Sequence, residues 1–330
     1  MTGLRPSVTV AICTRERPEQ LARLLQSLTG QVSAPDKLLV IDNAPVTPRT
    51  RELVERDFPD CRYVVEYAQG LDFARNRALR ESTAEVVAYI DDDAIASPGW
   101  VRGIATVFAE SPRIAICTGK VEAWSLDSEG ARLFEANGGF ARGDARIHLP
   151  PGAGQPPPGL PRPLIAWSIA VGSGVSMAVR RAVAAGLGGF DEALDMGAVL
   201  PGGGDLDMLW RVLEAGYEVV YEPRVHARHE HRRDLVAAQM QILEHNRALT
   251  ATLTKAVGSA RGLRKVPVVA FLGWRLCKPV VRLLGRMIGR DPLPAPLICR
   301  LCFSTWRGLV AYPAAVRLAA QRARHDAEAQ

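Results

Sequence analysis

Short runs rich in valine and isoleucine alternate with helical patterns through the first half of the chain, and this alternation limits the possible folds more than any other feature. The predicted strands are residues 8–13, 37–42, 62–67, 85–90 and 113–124. Helices are expected from Pro18 to Gly30 and near 47–57, 71–82 and 98–110. Strands separated by helices pair in parallel, because each helix returns the chain to the same end of the sheet. The sequence therefore predicts an α/β fold with a mostly parallel central sheet and helices on both faces.

The second half of the chain contains two further segments of this kind, 172–194 and 201–223, which can complete the same sheet. Before them, residues 149–163 (LPPGAGQPPPGLPRP) are so rich in proline and glycine that regular structure is excluded. We expect a mobile surface loop or lid there, with a domain boundary as the alternative. The predicted organisation is a catalytic domain over 1–260 and a basic, helical, amphipathic C-terminal extension over 261–330.

The positive charge of the chain is concentrated in its C-terminal part. Residues 261–330 hold thirteen Lys and Arg against three Asp and Glu, whereas the remainder has a net charge of −4. The longest uncharged apolar run there is nine residues, too short to span a bilayer. Arg275, Lys278, Arg282 and Arg286 recur at helical spacing, so they share one face. This pattern fits anionic lipid headgroups better than nucleic acid, because interleaved aromatic residues are missing. Packing on the catalytic domain is the alternative.

The six cysteines are scattered, and the N-terminal residues MTGLRPSVTVAIC contain no signal-peptide core. A reduced, cytoplasmic protein is therefore expected. The sequence leaves open whether this cytoplasmic protein also contacts the inner face of the plasma membrane peripherally.

Three consecutive aspartates, Asp91, Asp92 and Asp93, follow the fourth predicted strand. Ligands bind at the carboxyl ends of strands in open α/β sheets, and a divalent cation would turn the repulsion between these carboxylates into coordination. Oxygen ligands favour Mg²⁺ or Mn²⁺, which also coordinate substrate phosphates. The triplet thus indicates a metal and a diphosphate-bearing substrate, although a helix cap with an acidic first turn is an alternative.

Two more polar clusters occur later in the chain. Asp205 and Asp207 follow three glycines and begin a helical pattern, so Asp205 is a candidate general base, whereas helix capping is the preferred interpretation of Asp207. His226, His229 and His231 lie near the end of a strand, where an imidazole can supply a nitrogen ligand to the metal. Histidines among arginines are also common on solvated surfaces.

Side chains that follow the first two strands are expected at the same edge of the sheet. Thr14 and Arg15 follow the first strand, and Asp42 ends the second. No GxGxxG follows the first strand, which argues against a dinucleotide-binding fold. Asp42 can accept a hydrogen bond from a base or ribose, or it can cap a turn.

Taken in order, several motifs of this chain resemble those of the family 2 glycosyltransferases of the GT-A fold. The motifs are VTVAICTRERPEQLARLLQSL, VIDNAP, GLDFARNRAL, YIDDDAIASPGWV, GSGVSMAVRR, GGFDE, GGGDLDMLWRVLEAGYEVVYEP and RHEH. The resemblance covers about residues 7–235 and depends on the series rather than on any single motif.

This resemblance implies metal-dependent, inverting transfer of a sugar from a nucleotide-diphospho-sugar to an acceptor hydroxyl, on a lipid-linked or small molecule. It implies Asp205 as the catalytic base and Mn²⁺ or Mg²⁺ as the cofactor, held by Asp93, Asp91 and His229. The implied nucleotide-sugar contacts are Thr14, Arg15, Asp42, Arg75, Asp91 and Asp92, and the acceptor contacts are Gly203, Gly204 and Ser176. Two positions depart from the family pattern, since Gly204 stands where many members have Glu and Ser176 where many have Asn.

Two other activities are compatible with the same residues. A catalytically inactive nucleotide-sugar-binding scaffold at the membrane would keep the donor contacts without turnover. A nucleotidyltransferase also pairs carboxylates with a metal, but it releases pyrophosphate instead of a nucleoside diphosphate. Nucleic acid is not an expected partner.

Overall fold

The structure, a computed structural model, describes residues 5–34, 36–149, 164–195, 197 and 199–329. These residues form nine strands: β1 (Val8–Thr14), β2 (Lys37–Asn43), β3 (Arg62–Glu66), β4 (Val86–Ile90), β5 (Ala94–Ala96), β6 (Ile114–Ala123), β7 (Ile147–Leu149), β8 (Ser176–Arg180) and β9 (Glu218–His229). The five strands predicted in the first half are all present, each within two residues of its predicted bounds.

The described residues also form eleven α-helices: α1 (Pro18–Leu28), α2 (Arg49–Asp57), α3 (Leu71–Glu81), α4 (Trp100–Glu110), α5 (Glu129–Ala136), α6 (Leu164–Val171), α7 (Arg181–Gly186), α8 (Gly204–Glu214), α9 (Leu235–Ser259), α10 (Lys265–Met287) and α11 (Ala295–Ala329). Pro18 begins α1, where its missing N–H costs no hydrogen bond. The predicted loop over 149–163 lies, apart from Leu149, outside the described residues.

All nine strands belong to one sheet, in the order β3-β2-β1-β4-β8-β6-β9-β5, with β7 also paired to β9. The block β3-β2-β1-β4 is parallel, as is β6 with β9, whereas β8 runs antiparallel to both of its neighbours. The sheet of the described residues is therefore mixed, and the predicted parallel pairing holds within β3-β2-β1-β4 and between β6 and β9. The short strands β5 and β7 add antiparallel edges, which periodicity alone does not reveal.

Helices cover both faces of the sheet and create two main apolar cores. On one face, Leu21, Leu24 and Leu28 of α1 and Trp100 and Ile104 of α4 are almost completely buried. On the other face, α3, α6 and α8 supply the apolar side chains, among them Trp167 and Leu209. This arrangement leaves the carboxyl ends of β1, β2 and β4 at one edge of the sheet, where residues of the Asp triplet and of the first loop meet.

The C-terminal helices pack on one another and on the sheet domain. Apolar side chains of α9 share one cluster with α5 and α11, and another with Val268 of α10. A third cluster joins Ala315 and Ala319 of α11 to Leu194 and Leu200, next to the start of α8. The predicted helical extension is thus present, and its division from the catalytic domain at residue 260 stays a prediction. No helix within the described ranges is long and apolar enough to cross a membrane.

Candidate active site

A cavity of about 760 Å³ opens at the carboxyl edge of the sheet. Its size is in the range of ligand-binding clefts. Of the predicted site residues, it is lined by Thr14, Arg15, Arg75, Asp91, Asp92, Asp93, Gly203, Asp205 and His229. The structure therefore brings together residues from the beginning, middle and end of the sheet domain.

Asp91, Asp93 and His229 form a group that can hold a metal ion. One potential ligand atom from each lies within 4.8 Å of the others, and His229 Nε2 is 3.0 Å from Asp93 Oδ1. Two carboxylates and one imidazole fit Mn²⁺ well and also suit Mg²⁺, both of which leave coordination positions for phosphate oxygens. The donor set thus agrees with the predicted cofactor.

Asp92 differs from its two neighbours because both of its oxygens have protein partners. Thr14 Oγ1 donates to one oxygen at 2.7 Å, and Arg17 Nη1 donates to the other at 3.0 Å. Arg17 also lies 3.2 Å from Asp93 Oδ2. Asp92 is therefore committed to holding Thr14 and Arg17 against the acidic triplet, although it lies along the cavity as predicted. Arg17 was not predicted as a site residue. Its position close to Arg15 in the motif CTRERP is the sequence feature that could have indicated it.

A chain of hydrogen bonds orients His229. His229 Nδ1 is 3.1 Å from His231 Nδ1, and His231 Nε2 is 2.7 Å from Glu135 Oε1. The carboxylate of Glu135 requires a proton on His231 Nε2, which leaves Nδ1 of a neutral His231 as an acceptor. His229 must then carry its own proton on Nδ1, so its Nε2 atom becomes available as a ligand once it is deprotonated.

The pKa values of these groups follow from the same contacts. Burial and the nearby charge of Asp93 raise the pKa of Asp91 to about 6. Burial also disfavours the charged forms of Asp93 and His229, but their mutual hydrogen bond prevails: it lowers the pKa of Asp93 and raises that of His229. Burial lowers the pKa of His231, in agreement with a neutral imidazole in the chain. In the absence of a metal, a proton on His229 thus compensates Asp93.

Arg75 lies between two aspartates of a second acidic cluster beside the cavity. Its Nη1 atom is 3.0 Å from Asp72 Oδ1 and 3.5 Å from Asp195 Oδ2; the side chains of Arg75 and Asp72 are buried, and Asp195 is partly buried. Burial opposes the charge of Arg75, but the surrounding aspartates raise its pKa, so its charge is retained. Asp72 and Asp195 were not predicted, although Asp72 belongs to the motif GLDFARN. Arg75 is therefore held in place next to the cavity by two carboxylates.

Gly202, Gly203 and Gly204, at the start of α8, allow the backbone to approach Asp72 and Asp195 closely. Gly203 has φ of +109°, a conformation that favours glycine. A Cβ atom on Gly204 would lie 1.8 Å from Asp72 Oδ2, and the Gly204 N–H donates to Asp195 Oδ2 at 2.9 Å. Asp72 thus takes the space into which a side chain at position 204 would extend, which explains the glycine there. Gly204 itself is buried and does not line the cavity.

Asp205, in the first turn of α8, lines the same cavity as the acidic triplet. The N–H groups of Gly174 and Leu206 donate to its two oxygens at 2.6 and 2.8 Å. An ionised carboxylate has about four lone-pair positions, so two remain for a hydroxyl group. The geometry suits a base that is fixed by backbone donors and reaches into the cavity.

Four residues singled out from the sequence have other environments. Asp42 is buried and accepts a hydrogen bond from Tyr63 at 2.7 Å, and Ser176 accepts one from Trp100 Nε1 at 2.9 Å. Both side chains are buried and neither is among the residues that line the cavity, so the contacts of Asp42 with the nucleotide and of Ser176 with the acceptor stay predictions.

Asp207 and His226 are also placed elsewhere. Asp207 forms buried ion pairs with Arg211 and Lys255 at 2.7 Å each, so it anchors α9 to α8 instead of capping the helix. His226 contacts Ser97 and Glu122 near β5, apart from His229 and His231.

The C-terminal helices complete the cavity wall. Gln241, Glu244 and His245 of α9 and Arg322 of α11 line it, together with Arg142 and Arg232. Arg322 also donates a hydrogen bond to the carbonyl of Gln69. His245 packs beside Phe134 and Phe140, which also contact the ring of His231. These residues carry no local motif, and only the packing of the helices brings them to the site.

Comparisons with known proteins identify the family of part of the chain. Residues 9–152 match the model of the family described as glycosyl transferase family 2. This part of the chain belongs to that family. The family prediction is confirmed, and the matched residues include β1, β2 and the Asp triplet.

Two curated relatives are themselves glycosyltransferases. The pre-mycofactocin glycosyltransferase of Mycobacterium tuberculosis is 28% identical over 234 residues, which cover 69% of this chain and 43% of the relative. The glucosyl-dolichyl phosphate glucuronosyltransferase of Haloferax volcanii is 29% identical over 120 residues, 34% of this chain and 38% of the relative. The chain thus spans less than half the length of the curated relatives it matches.

A solved structure confirms the fold. The mannosyltransferase PcManGT from Pyrobaculum calidifontis, in complex with GDP-Man and Mn²⁺, superposes with a TM-score of 0.55 over 94% of this chain and 87% of that one. Sequence identity is 17%. The predicted GT-A fold is therefore confirmed.

Proposed function

We propose that this protein transfers a sugar from a nucleotide-diphospho-sugar to an acceptor hydroxyl, with inversion at the anomeric carbon. The observation that carries the proposal is that the metal-competent group of Asp91, Asp93 and His229 and the carboxylate of Asp205 line one cavity. The family match and the named activities of the relatives support the same class of reaction.

In this mechanism the acidic triplet and Asp205 have separate tasks. Mn²⁺ or Mg²⁺, when bound by Asp91, Asp93 and His229, would neutralise charge on the departing diphosphate. Arg17 and Arg75 add fixed positive charge on two sides of the cavity. Asp205 removes the proton of the acceptor hydroxyl as the oxygen attacks, and its backbone donors keep the carboxylate in place. A direct displacement of this kind inverts the configuration.

A thermal-shift panel of UDP-, GDP- and dTDP-sugars, with and without Mn²⁺, tests donor binding. A donor at about 100 times its dissociation constant adds about 2.7 kcal/mol to the free energy of unfolding. We expect one donor class to stabilise the protein, and Mn²⁺ to increase the effect. Stabilisation by no donor would refute the proposal.

Product analysis of the stabilising donor separates the alternative activities. For glycosyl transfer we expect release of a nucleoside diphosphate. This release should be slow when no acceptor is present. Pyrophosphate release would identify a nucleotidyltransferase. Binding without any release, even with acceptors, would identify a nucleotide-sugar-binding scaffold.

We further propose that the C-terminal helices attach the protein to an anionic bilayer surface. The outer side of α10, with the residue that follows the helix, carries exposed apolar residues that fall on one helical face, which we call the apolar stripe. Its members are Val266, Val269, Trp274, Val280, Val281, Leu284, Met287 and Ile288. Phe303, Trp306 and Val310 of α11 are also exposed. Water is a poor environment for such a surface, whereas the interfacial layer of a bilayer suits both its aliphatic and its aromatic members.

The charges around the apolar stripe favour anionic lipid over an acidic or neutral protein partner. Arg261, Arg264 and Lys265 are exposed near the start of α10, and Arg286 and Arg290 near its end. Asp291 is the single acidic residue between 261 and 324, and it is paired with Arg282. Each cation near an anionic surface contributes about 1 kcal/mol to binding.

Vesicle flotation tests this attachment. Wild-type protein should float with vesicles of phosphatidylglycerol and phosphatidylcholine, and less with phosphatidylcholine alone. Val280→Glu, on the apolar stripe, should reduce flotation, whereas Val46→Glu, which changes a still more exposed valine outside the stripe, should not. Equal flotation of both variants, or a stable dimer that does not float, would refute the attachment.

A further inference from the structure

A second cavity, of about 170 Å³, lies between α9 and α10 beside the catalytic cavity. The two share Asn137, His245 and Leu249 in their walls. A group bound in the second cavity would therefore be next to one bound in the first. We call the second cavity the cationic pocket, because Arg275, Lys278 and Arg282 line it.

The positive charges of the cationic pocket are only partly compensated. Arg282 forms a two-point ion pair with Asp291, at 2.6 and 3.1 Å, and donates to Asn137 Oδ1 at 2.7 Å. Arg275 has a single hydrogen bond, to Asn246 Oδ1 at 2.9 Å, and its Nε atom is buried without a partner. Lys278 forms no hydrogen bond or ion pair with the described residues. Three cations thus face one carboxylate, which leaves an excess of two positive charges.

This arrangement of cations lowers the stability of the fold when no anion is bound between them. Burial, together with the charge of Arg282, lowers the pKa of Arg275 to about 10. Burial and the charges of both arginines also lower the pKa of Lys278, against a smaller opposing effect of Asp291. Like charges in a partly buried cavity destabilise the fold unless something binds between them. The apolar stripe of α10 faces outward, while Arg275, Lys278 and Arg282 face inward and line the cationic pocket.

We propose that the cationic pocket binds a phosphate group of the acceptor. The inference rests on the proposed glycosyl transfer, for which it names the acceptor class. A phosphate monoester carries a charge of about −1.5 to −2 at neutral pH, which matches the excess of two charges. Arginine and lysine are the usual phosphate-binding side chains, and the unpartnered Nε of Arg275 is a donor oriented by Asn246.

The position of the cationic pocket supports an acceptor phosphate in particular. It adjoins the cavity that contains Asp205, the base that would activate the acceptor hydroxyl. It also lies on the inner side of α10, whose outer side is the apolar stripe. A lipid acceptor that carries a phosphate monoester can therefore place its chain at the bilayer, its phosphate at Arg275 and Lys278, and a hydroxyl group toward Asp205.

Isothermal titration with farnesyl phosphate, in EDTA, tests phosphate binding while no divalent ion is available to the acidic triplet. We expect saturable binding, competition by inorganic phosphate, and no binding of farnesol. Lys278→Gln should weaken binding about tenfold or more. Lys37→Gln removes the same charge from an exposed position at the start of β2, outside the cationic pocket and the C-terminal helices, and should leave binding unchanged.

Further measurements distinguish the sources of phosphate and guard against misfolding. Arg275→Gln serves as a second variant, and the thermal stability of each variant is recorded. If Lys278→Gln reduces flotation with phosphatidylglycerol vesicles but leaves farnesyl phosphate binding intact, the residues bind bulk lipid headgroups and the proposal is wrong. Equal binding by wild type, Lys278→Gln and Arg275→Gln also overturns it.

Donor binding separates this inference from the proposed function. The stabilisation of Lys278→Gln by a nucleotide sugar and Mn²⁺ should equal that of the wild type. If the wild type binds farnesyl phosphate through Lys278 but no nucleotide sugar, the glycosyl transfer proposal fails while the phosphate site stands.

Discussion

Asp93 and Asp205 line the same cavity, although one follows the fourth strand and the other begins the eighth helix. This relationship allows one donor, held through its diphosphate near Asp93, to present its sugar toward Asp205. A pair of carboxylates on different cavities would not support glycosyl transfer.

Replacement of the proposed base should separate binding from turnover. Asp205→Asn keeps the size of the side chain and an acceptor for the Gly174 N–H, but it cannot take up a proton. We expect a loss of about 10²- to 10⁴-fold in the rate of sugar transfer, with donor binding unchanged. Steady-state transfer and thermal shift measure the two quantities. Asp60→Asn, at an exposed position away from the cavity, is the control. Near-normal transfer by Asp205→Asn would exclude Asp205 as the base.

The hydrogen-bond chain from Glu135 should determine metal affinity. His231→Phe removes the acceptor of His229 Nδ1, and the ring fits among Phe134 and Phe140. Residues that orient a metal ligand typically contribute about 10- to 100-fold in affinity. We therefore expect Mn²⁺ binding, measured by the electron paramagnetic resonance of free Mn²⁺, to weaken by that factor. His226→Phe, in the same strand but outside the chain, should bind Mn²⁺ normally, and equal affinities of the two variants would show that the chain does not orient His229.

Metal binding should strengthen as the pH rises through about 6. The pKa of Asp91 is raised to about 6, and that of His229 is raised above its ordinary value, so protons compete with the metal below this range. The apparent affinity can change at most about tenfold per pH unit for each proton released. Titrations with Mn²⁺ from pH 5 to 8 measure the slope, and a flat profile would contradict these pKa values.

In the metal-free protein, the contribution of Asp91 to stability should change with pH in the opposite direction: it should fall as the pH rises. A carboxyl whose pKa is higher in the folded state takes up its proton more readily when folded. Its contribution to stability is therefore fully present below the unfolded value and is lost as the pH rises through about 6. Compared with the wild type, Asp91→Asn should lose this part of the pH dependence of thermal unfolding in EDTA.

The glycines before α8 offer a matched test of packing. A Cβ on Gly204 would collide with Asp72, whereas one on Gly202 would lie 3.6 Å from Ala248 Cβ, an ordinary contact. We expect Gly204→Ala to reduce the free energy of unfolding by about 1–3 kcal/mol, because Asp72 and Arg75 must shift. Gly202→Ala should change it by less than about 1 kcal/mol. Denaturant unfolding of both variants checks the difference, and similar values would show that Asp72 moves aside freely.

Local patterns were sufficient for much of the fold. The strands and helices of the first half follow from residue periodicity and from Pro18, because hydrophobic spacing and backbone restrictions act within one element. The Asp triplet and Asp205 were found for a similar reason: carboxylates at the ends of strands and helices are expected where ligands bind.

Tertiary structure decided which of these residues cooperate. Asp42 and Ser176 have plausible sequence positions, yet neither is among the residues that line the cavity, whereas Arg17 and Asp195 line it and Asp72 contacts Arg75 beside it. His231 and Glu135 are far apart in sequence, so only the packing of α5 against the end of β9 reveals their hydrogen bond.

The orientation of α10 is the clearest case. The sequence by itself determined that this helix has one cationic and one apolar side, since both follow from spacings of three and four residues. Only the tertiary structure decided that Arg275, Lys278 and Arg282 turn inward toward α9 and that the apolar stripe turns outward. Periodicity describes the faces of a helix, but the direction in which a face points depends on contacts such as Arg275 with Asn246, which join distant parts of the chain.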